Sequence, residues 1–341
     1  MRLLQVMASD KTGGAELFFG RMCGALQERG LSQRALIRRG AVCRDDLLAA
    51  GVPTLTMPFL ANGDILSRWL IRRQIRDFAP DILLSWMSRA ATLCPTSRQF
   101  VHVARLGGYY KMKYFRHCDH LVGNTQHIVS YIRDHGWPAE RVHYLPNFVD
   151  ERPATAVRRD SLATPEGVPL LLALGRLHSD KAFDILLAAM ARLPDAHLWL
   201  AGEGPLLGPL KAQSDALGIA GRIRFLGWRD DAQSLLEAAD ILVCPSRVEP
   251  LGNVILEAWV HRTPVVAAAS TGPAGLITDG VDGLLVPMED AGALAGAVST
   301  VIRDGGLAEK LAQGGRLTYE SRFSRPAVVD RYLQFFAKVA R

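Results

Sequence analysis

Apolar and polar positions along this chain follow two periods. Short apolar runs at residues 3–7, 35–37, 52–57, 81–86, 100–104, 121–123 and 142–145 are separated by stretches whose apolar positions recur every three or four residues. Runs bounded by turn residues read as strands buried on both faces, and the longer period reads as helices packed over them. The polar stretch 9–16 leads from the first strand into a helix face of Leu17, Phe18, Met22 and Leu26. Further helices are expected at 45–50, 65–78 and 128–135. Residues 151–168, rich in Pro, Arg and Ala, read as a linker. Beyond it the alternation restarts, with strands at 169–174, 197–201, 223–227, 241–244 and 263–268. Helices follow at 185–193 and 232–239, after Gly252 (Val254, Ile255, Ala258, Trp259), and at 291–302 and 326–340. Pro326 suits a first helical turn, where its missing N–H costs nothing. Strand–helix alternation on both sides of a linker predicts an α/β protein of two Rossmann-like domains with parallel sheets.

Composition narrows this picture. At 341 residues the chain exceeds one ordinary domain, and 49% apolar residues supply two cores. No apolar run reaches the roughly 18 residues that span a bilayer. Residues 1–7 are too short for a signal peptide and read as the first strand, so a cytoplasmic protein is expected. The five cysteines, Cys23, Cys43, Cys94, Cys118 and Cys244, are scattered and contain no C-x-x-C, which predicts reduced thiols. A net charge of +6 suits phosphorylated ligands or an anionic membrane surface. No zinc-finger or RNA-recognition pattern is present, so nucleic acid is not expected.

Candidate chemistry gathers at the strand–helix junctions. The strand 169–174 is followed by Gly175-Arg176-Leu177-His178-Ser179-Asp180-Lys181-Ala182 and a helix start. Two cations beside the free N–H groups of a helix start suit a diphosphate. The strand 241–244 runs into Pro245-Ser246-Arg247-Val248-Glu249-Pro250-Leu251-Gly252-Asn253, then a helix carrying Glu257. Here Gly252 admits close backbone approach, and the new helix again favours an anion. Residues 202–205, Gly-Glu-Gly-Pro, form a third glycine turn. The first loop carries Gly13-Gly14, but neither a G-x-G-x-x-G nor a Walker lysine.

Together these segments resemble retaining glycosyltransferases of family 4, which have the two-domain GT-B fold. The resemblance rests on G-G-A-E at 13–16, Pro146-Asn147-Phe148-Val149-Asp150 for the family's P-N-G-V-D, and G-R-L-x-x-x-K at 175–181. It also rests on G-x-G-P at 202–205, E-x7-E from Glu249 to Glu257, and D-G-V-D-G-L-L-V-P at 279–287. It departs from the family at Phe148 and Ala182, where glycine is usual. The resemblance implies an acceptor-binding domain over residues 1–152 and a nucleotide-sugar-binding domain over 153–324. A terminal helix at 325–341 then returns to the first domain, and a cleft lies between the two. It further implies that Arg176 and Lys181 neutralise the donor diphosphate, Glu249 positions the sugar and Glu257 holds the ribose. Gly14, Gly175, Gly204, Leu251, Gly252 and Asn253 would line the donor site. The donor would be a UDP- or GDP-linked sugar, with no cofactor and no metal. The acceptor would be a hydroxyl of a lipid-linked saccharide, lipopolysaccharide or other envelope glycan.

In relatives a His or Asp near the end of the strand at 100–104 faces the acceptor. His102 is the candidate for that place, and Arg105 is a second. Basic and aromatic residues interleave at Tyr109-Tyr110-Lys111-Met112-Lys113-Tyr114-Phe115-Arg116. That mixture suits a helix docked peripherally on an anionic inner membrane face. The spacing of His117, Cys118, His120 and His127 fits no strong zinc pattern. Two other readings stay open: a non-catalytic membrane-surface or interaction module on the same fold, and a nicotinamide-dependent oxidoreductase. The second lacks the first-strand glycine fingerprint with its acidic partner.

Overall fold

The computed structural model describes residues 1–11, 13–60 and 63–340. The chain forms two compact units, one of Met1–Phe148 with Arg325–Arg341 and one of Val149–Ser324.

Unit 1 holds seven strands, β1 Arg2–Met7, β2 Ser32–Arg38, β3 Thr54–Met57, β4 Ile82–Trp86, β5 Val101–Leu106, β6 His120–Gly123 and β7 Val142–Tyr144. Their order is β3-β2-β1-β4-β5-β6-β7, and every pairing is parallel. Strand residues alternate between two cores, as the pleat requires. Leu3 and Met7 join Phe18, Phe19 and Met22 of the helix Gly14–Glu28 on one face, while Leu4 and Val6 meet Ile71 and Ala90 on the other. The helix Arg325–Val339 adds Val328, Val329, Tyr332 and Phe336 to the first of these cores.

Unit 2 holds six strands, β8 Leu170–Leu174, β9 His197–Ala201, β10 Ile223–Gly227, β11 Ile241–Cys244, β12 Val265–Ala268 and β13 Leu284–Val286. Their order is β10-β9-β8-β11-β12-β13, again all parallel. Strand order reverses between β1 and β4 in the first sheet and between β8 and β11 in the second. Ligands of open parallel sheets sit at such switch points, beyond the C-terminal strand ends.

Four segments differ from the sequence expectation. Residues 109–116 are not an amphipathic helix. A single 3₁₀ turn, Met112–Tyr114, is present, and Phe115 is fully buried in a core with Leu121 and Ile128. Phe115 is therefore spent on packing, with Tyr110 and Tyr114 partly buried beside it, while Tyr109 stays exposed. Residues 87–89 open a helix, Met87–Leu93, directly at the end of β4. The helix Gly305–Thr318 and its π-helical continuation Tyr319–Phe323 fill a stretch with no expected element. Finally, the expected linker is anchored on unit 2: Arg159 donates to the carbonyls of Ala238 and Val168 and pairs with Asp240 at 2.9 Å.

Candidate active site

In unit 2 the loops after β8 and β11 meet at the switch point. Glycines hold the β8 loop at backbone level against the loop after β9. A Cβ at Gly202 would stand 1.9 Å from the Gly175 carbonyl oxygen, and one at Gly204 would stand 2.4 Å from that of Leu177. The Leu177 N–H donates to the Glu203 carbonyl at 2.8 Å and locks the β8 and β9 loops together. Arg176 is exposed at the turn. Lys181 follows in a 3₁₀ turn, and Ala182 caps the helix Phe183–Met190 at φ +51°. The left-handed geometry that the family's glycine provides is thus kept by an alanine, at a cost of about 1 kcal/mol.

Lys181 reaches across the switch point and pairs through Nζ with Glu249 Oε2. The other carboxylate oxygen, Glu249 Oε1, accepts from the Gly252 N–H at 3.2 Å. Glu249 is 9% exposed, so this acid is held by a cation and an amide inside the loop rather than displayed in water. Gly252, at φ +86°, turns the chain into the helix Asn253–Val260. Leu251 is buried beneath it, and Asn253 Oδ1 is buried without a partner. Glu257 lies half-buried one turn further on. Gly175, Arg176, Lys181, Gly204, Glu249, Leu251, Gly252, Asn253 and Glu257 all belong to this unit.

Residues that the sequence reading passed over hold the loop in place. Arg247 donates to both oxygens of Asp184 at 2.8 and 2.6 Å, to the Ser179 carbonyl at 2.9 Å and to Glu289 Oε2 at 2.9 Å. One guanidinium therefore ties the β11 loop to the β8 loop and to the turn after β13. Beside Arg247 the Asp184 carboxyl is held below its usual range. Glu289 itself sits at φ +62°, a conformation that a glutamate adopts only when its surroundings hold it there. The Val248 N–H donates to Asp180 O at 3.0 Å, and the Gly272 N–H donates to Glu249 O at 2.7 Å. Arg247 stands inside the quoted motif, but its partner 63 positions earlier carries no local signal.

Unit 1 corrects the acceptor candidates. His102 is the second residue of β5, four residues and about 13 Å short of the strand's end. It is 1% exposed and shares a hydrogen bond of 2.9 Å with Ser85 Oγ. Burial, reinforced by His117, pushes its pKa down to about 3, so it is a neutral interior group. Arg105 is equally interior. It donates to the Tyr332 hydroxyl at 2.8 Å and to Asn147 Oδ1, and its guanidinium stacks on Phe18 and Trp86 at 4.7 and 4.6 Å. Its charge is spent inside unit 1. Phe148, where the family pattern has glycine, packs edge-on against Phe18 at 5.2 Å. Gly14 opens the helix Gly14–Glu28, with Gly13 as its cap. Donor atoms of His102, His117 and Cys118 lie within 4.8 Å of one another. The two imidazoles already share their Nε2 atoms with Ser85 Oγ and, at 2.8 Å, the Ala91 carbonyl. His120 pairs instead with His143, at 3.1 Å. Among the described residues no helix is long and apolar enough to cross a membrane.

Comparison with known proteins gives the site a context. Residues 12–152 match the model described as Glycosyltransferase Family 4, and residues 168–304 match Glycosyl transferases group 1. The lipopolysaccharide core biosynthesis glycosyltransferase LpsE of Rhizobium meliloti (strain 1021) is 40% identical over 329 residues, 96% of each chain. LpsD of the same organism is 36% identical over 326 residues, 95% of each chain. Among solved structures, Anabaena Alr3699/HepE in complex with UDP superimposes with a TM-score of 0.86 at 21% identity, over 99% of this chain and 100% of that one. At that identity the superposition speaks for the fold alone.

Proposed function

The chain belongs to glycosyltransferase family 4, with the GT-B fold, and from that premise we propose that it is a retaining enzyme of envelope glycan synthesis. It takes a sugar from a nucleotide-diphosphate donor and places it on a hydroxyl of a lipopolysaccharide core or related lipid-linked saccharide. The relatives named for lipopolysaccharide core synthesis support the acceptor class.

One observation carries the reading: a cationic turn and a buried acid face each other at the switch point of a parallel sheet. Arg176 and Lys181 take the diphosphate, opposing the charge that grows on it as the C1–O bond to phosphate breaks. Glu249 positions the sugar ring, and Glu257 holds the ribose. The amides of Gly252 and Asn253, at a helix start, complete the phosphate cradle. The acceptor oxygen bonds to C1 on the face that the leaving group vacates, and a leaving phosphate oxygen takes its proton. A strong protein base is not required, and Arg, Lys and amides supply the neutralisation that a divalent ion would otherwise give.

The protein acts in the cytoplasm. Any peripheral contact with an anionic leaflet falls on the helix Ile65–Phe78, where Ile65, Leu66 and Trp69 are 78%, 49% and 50% exposed beside Arg72, Arg73 and Arg76. Sedimentation with neutral vesicles equal to that with anionic ones would remove this contact.

Calorimetry tests the core of the reading. UDP or GDP should bind, and Arg176→Ala and Lys181→Ala should each weaken that binding about tenfold to a hundredfold, the worth of a charged hydrogen bond. Unchanged affinity in both variants would overturn the assignment.

A further inference from the structure

Unit 1 contains a concavity of about 580 Å³ whose wall includes Asp64, Arg68, Ser88, Arg89, Thr92 and Tyr114. We propose that this concavity binds an anionic group, a phosphate or a carboxylate, carried by the acceptor saccharide, with Arg68 and Arg89 as its cations. The proposal rests on the glycosyltransferase reading above and adds an acceptor class that the reading does not specify.

Four observations converge on it. First, Ser88 and Arg89 follow directly on the end of β4, beside the reversal of strand order in the first sheet. Parallel sheets bind ligands there. Second, the backbone is held in unusual conformations on two sides of the concavity: Met87 has φ +63° and Phe59 has φ +38°. Left-handed residues other than glycine persist where the surroundings impose them, and they gather at binding sites. Here the strain aims side chains. Arg89 donates to the Phe59 carbonyl at 2.5 Å and to that of Leu60, which fixes its guanidinium at the pocket wall.

Third, the charges are unbalanced. Neither Arg68 nor Arg89 forms an ion pair with a carboxylate among the described residues, whereas Arg159, Arg247 and Arg316 all do. Asp64 offsets one of the two positive charges lining the hollow, and the remaining one favours an anionic ligand. The planar forks of Arg68 and Arg89 match phosphate and carboxylate oxygens two at a time. Fourth, Asp64 is 5% exposed; its Oδ1 caps the helix Ile65–Phe78 through the Ser67 N–H at 2.9 Å, while Oδ2 is buried with no partner. Asp64 is thus sealed into the wall as a helix cap, and the groups left open to a ligand are the two guanidiniums and the neighbouring hydroxyls. The hydroxyls of Ser88, Thr92 and Tyr114 add the neutral contacts that a pyranose ring needs. The chemistry called for is thus an acidic sugar rather than a bare anion.

The test measures binding to the full-length protein by ligand-observed NMR, with glucose 6-phosphate, galacturonate, glucose, inorganic phosphate and phosphatidylglycerol vesicles as probes. UDP affinity is measured alongside by calorimetry. Both acidic sugars should bind at least about tenfold more tightly than glucose, and Arg68→Ala and Arg89→Ala should each abolish that preference while leaving UDP affinity unchanged. Arg68 is exposed, so Arg68→Ala and Arg68→Glu report on the site even if Arg89→Ala disturbs the loop it holds. Several results would each overturn the proposal. They are equal binding of glucose and the acidic sugars, a preference that survives Arg68→Ala, displacement of the probes by UDP, and inorganic phosphate or the vesicles competing as well as the sugars do. Loss of UDP binding by the parent protein would instead count against the glycosyltransferase reading, so the two failures are distinguishable.

Discussion

Replacing Gly272 by alanine should damage turnover through a single steric contact. Gly272 is the second residue of the helix Thr271–Leu276. A Cβ there would stand 2.3 Å from the Glu249 carbonyl oxygen, 2.9 Å from Leu251 C and 3.0 Å from Leu251 N. All three neighbours are backbone, so no side chain can swing aside. The gap is about 1 Å short of ordinary contact. Relief requires the β11 loop to move away from the helix, carrying Glu249 with it and lengthening the Gly272 N–H to Glu249 O bond of 2.7 Å. Overpacking of this kind costs about 1–3 kcal/mol. Alanine's better helix propensity returns at most about 1 kcal/mol. A misplacement of about 1 Å at a positioning group costs about a hundredfold in rate. Arg176 and Lys181 lie on a different loop, but the Gly252 amide rides on this one, so nucleotide affinity should fall too, though by less than turnover.

The assay is nucleotide release from a nucleotide-sugar in the presence of acceptor, with UDP affinity by calorimetry and melting by circular dichroism. Gly296→Ala is the control. That glycine lies within the helix Ala291–Arg303, and a Cβ there meets nothing within 4 Å, so the change should be neutral or slightly stabilising. A Gly272→Ala protein with the parent's melting temperature and turnover within about threefold would refute the reasoning, because it would show that the loop yields without moving its acid.

Other expectations follow from the same geometry. Glu249→Gln should depress turnover far more than UDP affinity and Glu257→Ala the reverse; identical profiles would mean that the two roles are misassigned. Arg247→Ala removes bonds to three segments, and since Asp184 and Glu289 are 42% and 51% exposed, it should cost only about 1–2 kcal/mol of stability. Its turnover should nonetheless fall more than about tenfold, and a stability loss with no loss of turnover would exclude a positioning role. Acid should weaken unit 1 through His102. Its folded pKa of about 3 lies below the unfolded value of 6.5, so the unfolded chain takes the proton first. The stability it contributes is complete above pH 6.5 and declines, by up to about 1.4 kcal/mol per pH unit, as pH falls toward 3. Urea titrations at pH 7, 5.5 and 4.5 should show that slope reduced in His102→Gln, and an unchanged slope would remove the assignment.

The parallel α/β architecture was legible because its strands are buried on both faces and read as unbroken apolar runs. The segments of the proposed donor site stood out because backbone approach and charge both leave local marks, in Gly202, Gly204 and Gly252 and in Arg176 and Lys181. What escaped depends on distance along the chain. The helix Gly305–Thr318 was hidden by glycines at 305, 306, 314 and 315 that argue against a helix. Gly315 is needed because a Cβ there would stand 2.2 Å from the Trp259 ring, and Gly314 because one would stand 2.1 Å from the Val281 carbonyl. Residues 109–116 misled for the opposite reason. Interleaved cations and aromatics match a membrane helix locally, but only the packing of Phe115 beside Leu121 and Ile128 shows where the aromatics go. His102 was placed at a strand end because its register in β5 is not visible in a short apolar run.

The pairing of Lys181 with Glu249 ties the proposed chemistry to the sheet order. These residues are 68 positions apart and meet because β8 and β11 are neighbours at the reversal. A buried carboxylate without a partner is strongly destabilising, and so is a buried ammonium. Their mutual contact offsets part of that cost. In the proposed reaction, a donor diphosphate that engages Lys181 would take it from Glu249, and the acid would then turn to the sugar hydroxyls and keep the Gly252 N–H. One anion replaces another beside the lysine, while Glu249 exchanges its cation for sugar hydroxyls, so the exchange costs the acid its ion pair. The same step delivers Glu249 to the sugar only when a diphosphate is present to claim the lysine. A sugar lacking the diphosphate offers Lys181 nothing in return for its carboxylate, so the proposed site would discriminate against it by the worth of that ion pair.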